Sequence, residues 1–220
     1  SFTIEPGQNI AFVGATGSGK TTIAALLCRF YEIQKGEIYI DGINIMEYEL
    51  NHLRQLIGTV MQDVFLFPGS IYDNVILNNQ KITEIEVLKA ASATGMQVFI
   101  DKLPNGLNYQ VMERGSLLST GQRQLISFLR AYLYNPSIMI LDEATSSIDS
   151  ESEQLIQIAS EKLTANRTSI IIAHRLSTIK SADKILVLDK GKLIESGNHD
   201  ELMQEKGIYF ELNQSHTSTL

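Results

Sequence analysis

The stretch Gly14-Ala15-Thr16-Gly17-Ser18-Gly19-Lys20-Thr21 lies between an apolar run, Ile10-Ala11-Phe12-Val13, and a helical pattern, Thr22-Ile23-Ala24-Ala25-Leu26-Leu27. Strand, glycine-rich turn and helix in that order leave a chain few architectures to choose from. The octapeptide fits G-x-x-x-x-G-K-[ST], a loop that wraps phosphate groups. Its glycines let the backbone bend tightly and come close to an anion. The backbone N–H groups turn inward, and the helix N-terminus adds the positive end of its dipole. In such a loop Lys20 reaches the β/γ-phosphates of a nucleotide and the Thr21 hydroxyl ligates Mg²⁺. The candidate phosphate-binding residues are Gly14, Ala15, Thr16, Gly17, Ser18, Gly19, Lys20, Thr21 and Thr22.

Further apolar runs recur with turn signals between them. Strands are expected at Ile10–Val13, Glu37–Ile40, Ile57–Val60, Ile138–Leu141, Ser169–Ala173, Lys184–Leu188 and Lys192–Glu195. The runs at Ile138–Leu141 and Ile170–Ala173 are apolar throughout, as in strands covered on both faces of a parallel sheet. Asp189-Lys190-Gly191 reads as a hairpin turn with a left-handed glycine. Thr83-Glu84-Ile85-Glu86 and Ser150-Glu151-Ser152-Glu153 read as capping boxes that open helices. From about Ser70 to Tyr134 the pattern is dominated by helices; on either side it alternates strand and helix. The expected fold is therefore α/β: a P-loop NTPase core with a mostly parallel central sheet, an inserted helical subdomain and a small antiparallel β portion. The core lobe is expected over about 1–69 and 135–220, and the helical lobe over about 70–134.

The chain has 220 residues and a formal net charge of −7. That balance argues against the basic face a nucleic-acid partner needs. The one cysteine, Cys28, cannot form a disulfide within the chain, which fits a reducing compartment. Its neighbours Leu26, Leu27 and Phe30 make it a small core residue. No apolar run approaches the ~20 residues of a transmembrane helix.

Ile138-Met139-Ile140-Leu141-Asp142-Glu143 is a buried strand ending in two carboxylates. That is the form of a Walker B motif, with Asp142 holding Mg²⁺ and Glu143 as general base for an attacking water. Leu118-Ser119-Thr120-Gly121-Gln122 precedes a helical apolar pattern through Leu125, Ile126, Phe128, Leu129, Tyr132 and Leu133. The pattern leaves Ser119 at a helix N-terminus, a ready anion site.

This pentapeptide resembles the LSGGQ signature of ABC ATPases, and the other motifs of that family follow in sequence order. Gln62 resembles the Q-loop glutamine, which senses Mg²⁺ and links core to helical lobe. Ser147-Ile148-Asp149 resembles the D-loop, and His174, in Ile171-Ile172-Ala173-His174-Arg175, resembles the switch histidine. Tyr109-Gln110-Val111-Met112-Glu113-Arg114-Gly115 resembles the X-loop of exporters, which touches the coupling helices of the membrane domain. The resemblance covers essentially the whole chain. It implies the nucleotide-binding domain of a multidrug- or lipid-type exporter, with ATP and Mg²⁺ as cofactors. It also implies a second such domain as head-to-tail partner, a transmembrane domain, and a place at the cytoplasmic face of a membrane. The roles it implies are Glu143, His174 and Lys20 in catalysis; the loop residues with Gln62, Ser119, Gly121 and Gln122 in ATP binding; and Thr21, Gln62 and Asp142 at the metal.

Two departures from the family pattern stand out. Exporter domains carry an aromatic residue some two dozen positions before the P-loop, where it stacks on adenine. Here only 13 residues precede Gly14, so the sequence is expected to be truncated at its N-terminus. Thr120 stands where the signature has its first glycine, and its side chain is expected to crowd the partner's γ-phosphate. Such signatures occur in heterodimeric exporters with unequal ATP sites. Other readings of the P-loop remain: a small-molecule kinase, a DNA-repair or chromosome-organising ABC ATPase, or a domain that only holds ATP. The signature is not needed by the first. The second inserts coiled coils for which no heptads are present. The carboxylate of Glu143 and His174 speak against the third.

Overall fold

The computed structural model describes residues 1–142, 148–173 and 176–217. In chain order they form β1 (Asn9–Val13), α1 (Lys20–Leu27), β2 (Tyr39–Ile40), β3 (Ile43–Asn44), α2 (Leu50–Leu56), β4 (Ile57–Val60), β5 (Gly69–Ser70) and α3 (Ile71–Ile76). Then follow α4 (Glu84–Ala93), α5 (Gln97–Asp101), β6 (Gln110–Val111), α6 (Thr120–Tyr134), β7 (Ile138–Asp142), α7 (Ser150–Thr164) and β8 (Thr168–Ile172). The chain closes with α8 (Leu176–Ser181), β9 (Lys184–Asp189), β10 (Lys192–Gly197), α9 (His199–Glu205) and α10 (Ile208–Thr217). The fold is α/β with a mostly parallel central sheet and small antiparallel pairs. The residues group into two compact units: Ser1–Gly58, Ser137–Glu143 and Asn166–Leu220 in the first; Thr59–Pro136 and Ala144–Ala165 in the second.

The sheet has the order β10-β9-β1-β8-β7-β4. Strand β1 lies between β8 and β9 and is parallel to both; Ile10 pairs with Ile170 on one side and Lys184 on the other. Strand β7 is parallel to β8, and Asp142 stands opposite Ile172. These strands read as apolar runs because helices cover both faces. Ile10, Phe12, Ile140, Ile170, Ile172, Leu186 and Leu188 form one buried cluster with Ala24 of α1, with Cys28 at its C-terminal cap and with Leu53 of α2. Strand β10 runs antiparallel to β9 with a bulge between Leu193 and Glu195. The turn between them is Lys190-Gly191, with φ of 47° and 76°, the left-handed pair that a two-residue hairpin demands. Strands β2 and β3 pair across Asp41-Gly42, also at positive φ (51° and 79°).

The second unit is mainly helical. Helix α6 buries Leu125, Ile126, Phe128 and Leu129 and packs against α3, α4 and α7. The short strands β5 and β6 pair antiparallel. The Thr83–Glu86 capping box is present at α4. The box expected at Ser150 is not. Asp149 caps α7, and its carboxylate accepts the backbone N–H of Ser152 at 2.8 Å. Aspartate one residue earlier is an equally good cap, and the ionised acceptor makes the stronger hydrogen bond. Its carboxyl is held below the usual range by the backbone N–H and then the hydroxyl of Ser152.

Candidate functional site

The glycine-rich loop leaves β1 at Val13 and enters α1 at Lys20, with Gly19 left-handed at the cap (φ 105°). Gly14 adopts φ 149°, and a Cβ there would lie 2.2 Å from the backbone oxygen of Leu188 in β9. No other residue fits that position. The β9–β10 turn supports the loop from behind: the Gly191 N–H donates to the Ser18 carbonyl at 2.9 Å. Sequence reasoning missed this support, because the two segments lie far apart in the chain. Ala15, Thr16 and Gly17 form the exposed crest of the loop; Thr21 and Thr22 are exposed in the first turn of α1.

Lys20 is buried, and its ammonium donates to the carbonyls of Gly14 at 2.8 Å and Ala15 at 3.1 Å. Burial lowers its pKa, and the nearby charge of Asp142 works against that shift. The cation is therefore drawn over the mouth of its own loop. Ser18 Oγ is buried without a hydrogen-bond partner, a polar atom that a polar ligand could satisfy. The Thr21 hydroxyl donates to Asp142 Oδ2 across 3.4 Å. Asp142 itself is buried at the end of β7. The hydroxyl comes from the start of a helix and the carboxylate from the end of a strand two positions away in the sheet. Mg²⁺ keeps several waters and uses one or two protein oxygens beside a phosphate, and this pair fits that demand. Among the described residues no group of three or more His, Cys, Asp or Glu could hold a metal ion by itself.

In the second unit Ser119 caps α6 in a complete capping box. Its hydroxyl accepts from the Gln122 N–H at 3.1 Å, and its own N–H donates to Gln122 Oε1 at 2.9 Å. Arg123 donates to the Leu118 carbonyl at 2.7 Å and to Thr120 Oγ1 at 3.1 Å. Gly121 is buried under the turn, and Gln62 is exposed in the loop after β4. Glu143, His174 and Ser147 lie outside the described residues. A buried polar knot was not foreseen from the sequence. Arg130 donates to the Phe65 carbonyl and to Asn74 Oδ1 and O, while the Asn74 amide donates to the carbonyls of Phe67 and Ser70.

A buried lysine over a glycine loop, with a hydroxyl and a carboxylate converging beside it, is common to many nucleotide-binding proteins. The family decides the matter. The ABC transporter profile matches residues 1–146. The chain belongs to the ABC transporter family. It is 50% identical over 212 residues to a probable multidrug resistance ABC transporter ATP-binding/permease protein of Bacillus subtilis (strain 168), covering 96% of this chain and 32% of that protein. It is 47% identical over 215 residues to an ATP-dependent lipid A-core flippase of Methylobacillus flagellatus, covering 96% of this chain and 36% of that one. Among solved structures, a bacterial Atm1-family ABC exporter with ATP bound matches with a TM-score of 0.90 at 40% identity, over 98% of this chain and 38% of that chain. The chain thus spans about a third of the length of these curated relatives. Among the described residues no helix is long and apolar enough to cross a membrane.

Proposed function

We propose that this ABC-family chain is the ATP-hydrolysing motor domain of an exporter. It works beside a transmembrane domain at the cytoplasmic face of a membrane, in a head-to-tail dimer with a second nucleotide-binding domain. The observation that carries this reading is the family match over residues 1–146, with Lys20, Thr21 and Asp142 converging at one loop mouth. The matching Atm1-family exporter holds ATP, which supports the choice of nucleotide.

The reading gives each residue a part in the chemistry. The loop N–H groups and the start of α1 receive the phosphate oxygens. Lys20 leaves its two carbonyl acceptors and turns its ammonium to the β/γ-phosphates, where charge gathers as the terminal bond breaks. Thr21 and Asp142 would hold Mg²⁺, with Gln62 as a further oxygen donor. When bound, the ion would supply neutralisation of the phosphate charge. Glu143 takes a proton from the attacking water, whose oxygen bonds to the γ-phosphorus while the bond to the β–γ bridging oxygen breaks. The products are ADP and inorganic phosphate. His174 holds Glu143 and the γ-phosphate in line. Ser119, Gly121 and Gln122 meet the γ-phosphate of the nucleotide held by the partner. Closure then depends on a group that hydrolysis removes, and the dimer opens when phosphate leaves.

Light scattering on the Glu143→Gln variant tests the reading. With saturating MgATP the mass should double, and with MgADP it should not. A chain that binds ATP and remains a monomer at every protein concentration would overturn the dimer assignment. A chain that binds no ATP would overturn the site.

A further inference from the structure

Helices α6 and α7 meet at Gly121. A Cβ there would lie 2.4 Å from Ser152 Cβ, 2.8 Å from Ser152 Oγ and 2.9 Å from Ile148 Cγ2. Carbon atoms do not approach so closely, so no side chain fits at this position. The backbone of Gly121 is not among the positive-φ glycines, so conformation does not demand the residue. It sits in the first turn of α6, where glycine is a poorer helix former than alanine. Space is the reason that remains.

Both sides of the contact are held in place. Ser152 is 6% exposed, and Asp149 caps its helix through the Ser152 N–H. Across the contact, Ser119 and Gln122 close their capping box, and Arg123 ties Leu118 to Thr120. Two capped helix starts therefore press together at Gly121, where a side chain would keep them apart. The turns they carry are Ser119–Gln122 and Ile148–Asp149.

We propose that Gly121 is a positioning residue that locks these two turns together, so that both meet a partner subunit as a single body. The proposal rests on the reading above, in which the Ser119 turn receives the partner's nucleotide. It adds a second demand on the same glycine, set by Ser152 rather than by phosphate. The two demands separate in a rescue experiment. If Ser152 is the obstacle, removing its side chain makes room for a methyl group at position 121. If phosphate is the only obstacle, it does not.

The test uses Gly121→Ala, Ser152→Gly and the double variant, each in the purified chain carrying Glu143→Gln. Two quantities are read: Tm without nucleotide, and the MgATP concentration at half-maximal dimer by light scattering. Gly121→Ala should lower Tm by about 5 °C and raise the half-maximal MgATP roughly tenfold. The double variant should recover most of the Tm loss and part of the dimer loss, since Ile148 Cγ2 at 2.9 Å and the partner's phosphate still oppose the methyl group. An unchanged Tm in Gly121→Ala overturns the interlock. Recovery of Tm without recovery of the dimer overturns the positioning role and leaves phosphate as the only demand. If the Glu143→Gln parent forms no dimer, the functional reading fails, while the Tm rescue still decides the interlock.

Discussion

The Thr21 hydroxyl stands 3.4 Å from Asp142 Oδ2, which joins the second residue of α1 to the last residue of β7. One oxygen from a helix start and one from a strand end thus face one point beside a phosphate loop. Removing either should leave ATP binding in EDTA nearly unchanged while abolishing the gain that Mg²⁺ brings. Titration calorimetry of Thr21→Ala and Asp142→Asn, with and without MgCl₂, should show that gain falling by roughly tenfold or more. A wild-type gain in both variants would remove the pair as metal ligands.

Lys20 is the buried cation at the same mouth, and its carbonyl acceptors are weaker partners than a phosphate. Lys20→Met should reduce affinity for ATP by about two orders of magnitude, the effect of losing charged hydrogen bonds to an anion. Binding of wild-type strength by calorimetry would contradict the assignment.

Gly14 and Gly36 both have positive φ, but only Gly14 is crowded. Gly36→Ala should cost about 1 kcal/mol of stability, the strain of a left-handed side chain. Gly14→Ala adds a backbone collision with Leu188 and should cost about 3 kcal/mol. Urea unfolding of the two variants checks the difference; equal costs would mean that β9 does not press on the loop.

Arg130 serves the interior of the second unit. Burial pulls its pKa down to about 10, so the guanidinium remains charged at neutral pH. Arg130→Met would remove the guanidinium's hydrogen bonds to the Phe65 carbonyl and to Asn74 O and Oδ1, of which Oδ1 keeps the Phe67 N–H at 2.9 Å, and should cost about 3 kcal/mol in urea unfolding. Arg130→Lys should recover only part, because an ammonium cannot span the same acceptors as a planar fork.

Cys28 supplies a pH dependence. Burial raises its thiol pKa from 9.0 to about 11, against a smaller opposing effect of Arg54. The neutral thiol is the form the core accepts. Its contribution is therefore complete below pH 9 and is lost as pH rises through 11. The loss should reach about 1–2 kcal/mol, and Cys28→Ala should unfold in urea with a shallower decline over that interval. An identical decline would exclude the thiol as its source.

The loop from Gly14 to Thr21 was legible in the sequence because its strand, turn and helix are adjacent, and the apolar runs of β7, β8 and β9 were legible because burial on both faces leaves no polar alternation. The order of those strands was not, since pairing joins residues such as Ile10 and Ile170 across the length of the chain. Asp41-Gly42 is a hairpin signal of the strongest kind, yet the expected strand Glu37–Ile40 shrinks to two residues paired with Ile43–Asn44. Asp149 rather than Ser150 caps helix α7, because both residues are good caps and only the folded backbone chooses between them. In the site, the Walker residues could be named from spacing alone. The engagement of Thr120 by Arg123, the knot at Arg130 and the crowding at Gly121 depend on tertiary neighbours that no local pattern carries.

Gly14 rests against Leu188, and the Ser18 carbonyl is held by Gly191. A ribosome delivers these segments far apart in time. The strand and turn that shape the glycine loop are translated long after it. Until then the nascent loop has no wall behind it, and β1 lacks β9, one of its two neighbours. Competence to hold a nucleotide therefore arrives well after the phosphate motif itself, as one of the long-range closures that slow the folding of parallel sheets. A growing chain stalled before Leu188 would carry the whole phosphate motif and still be unable to shape it.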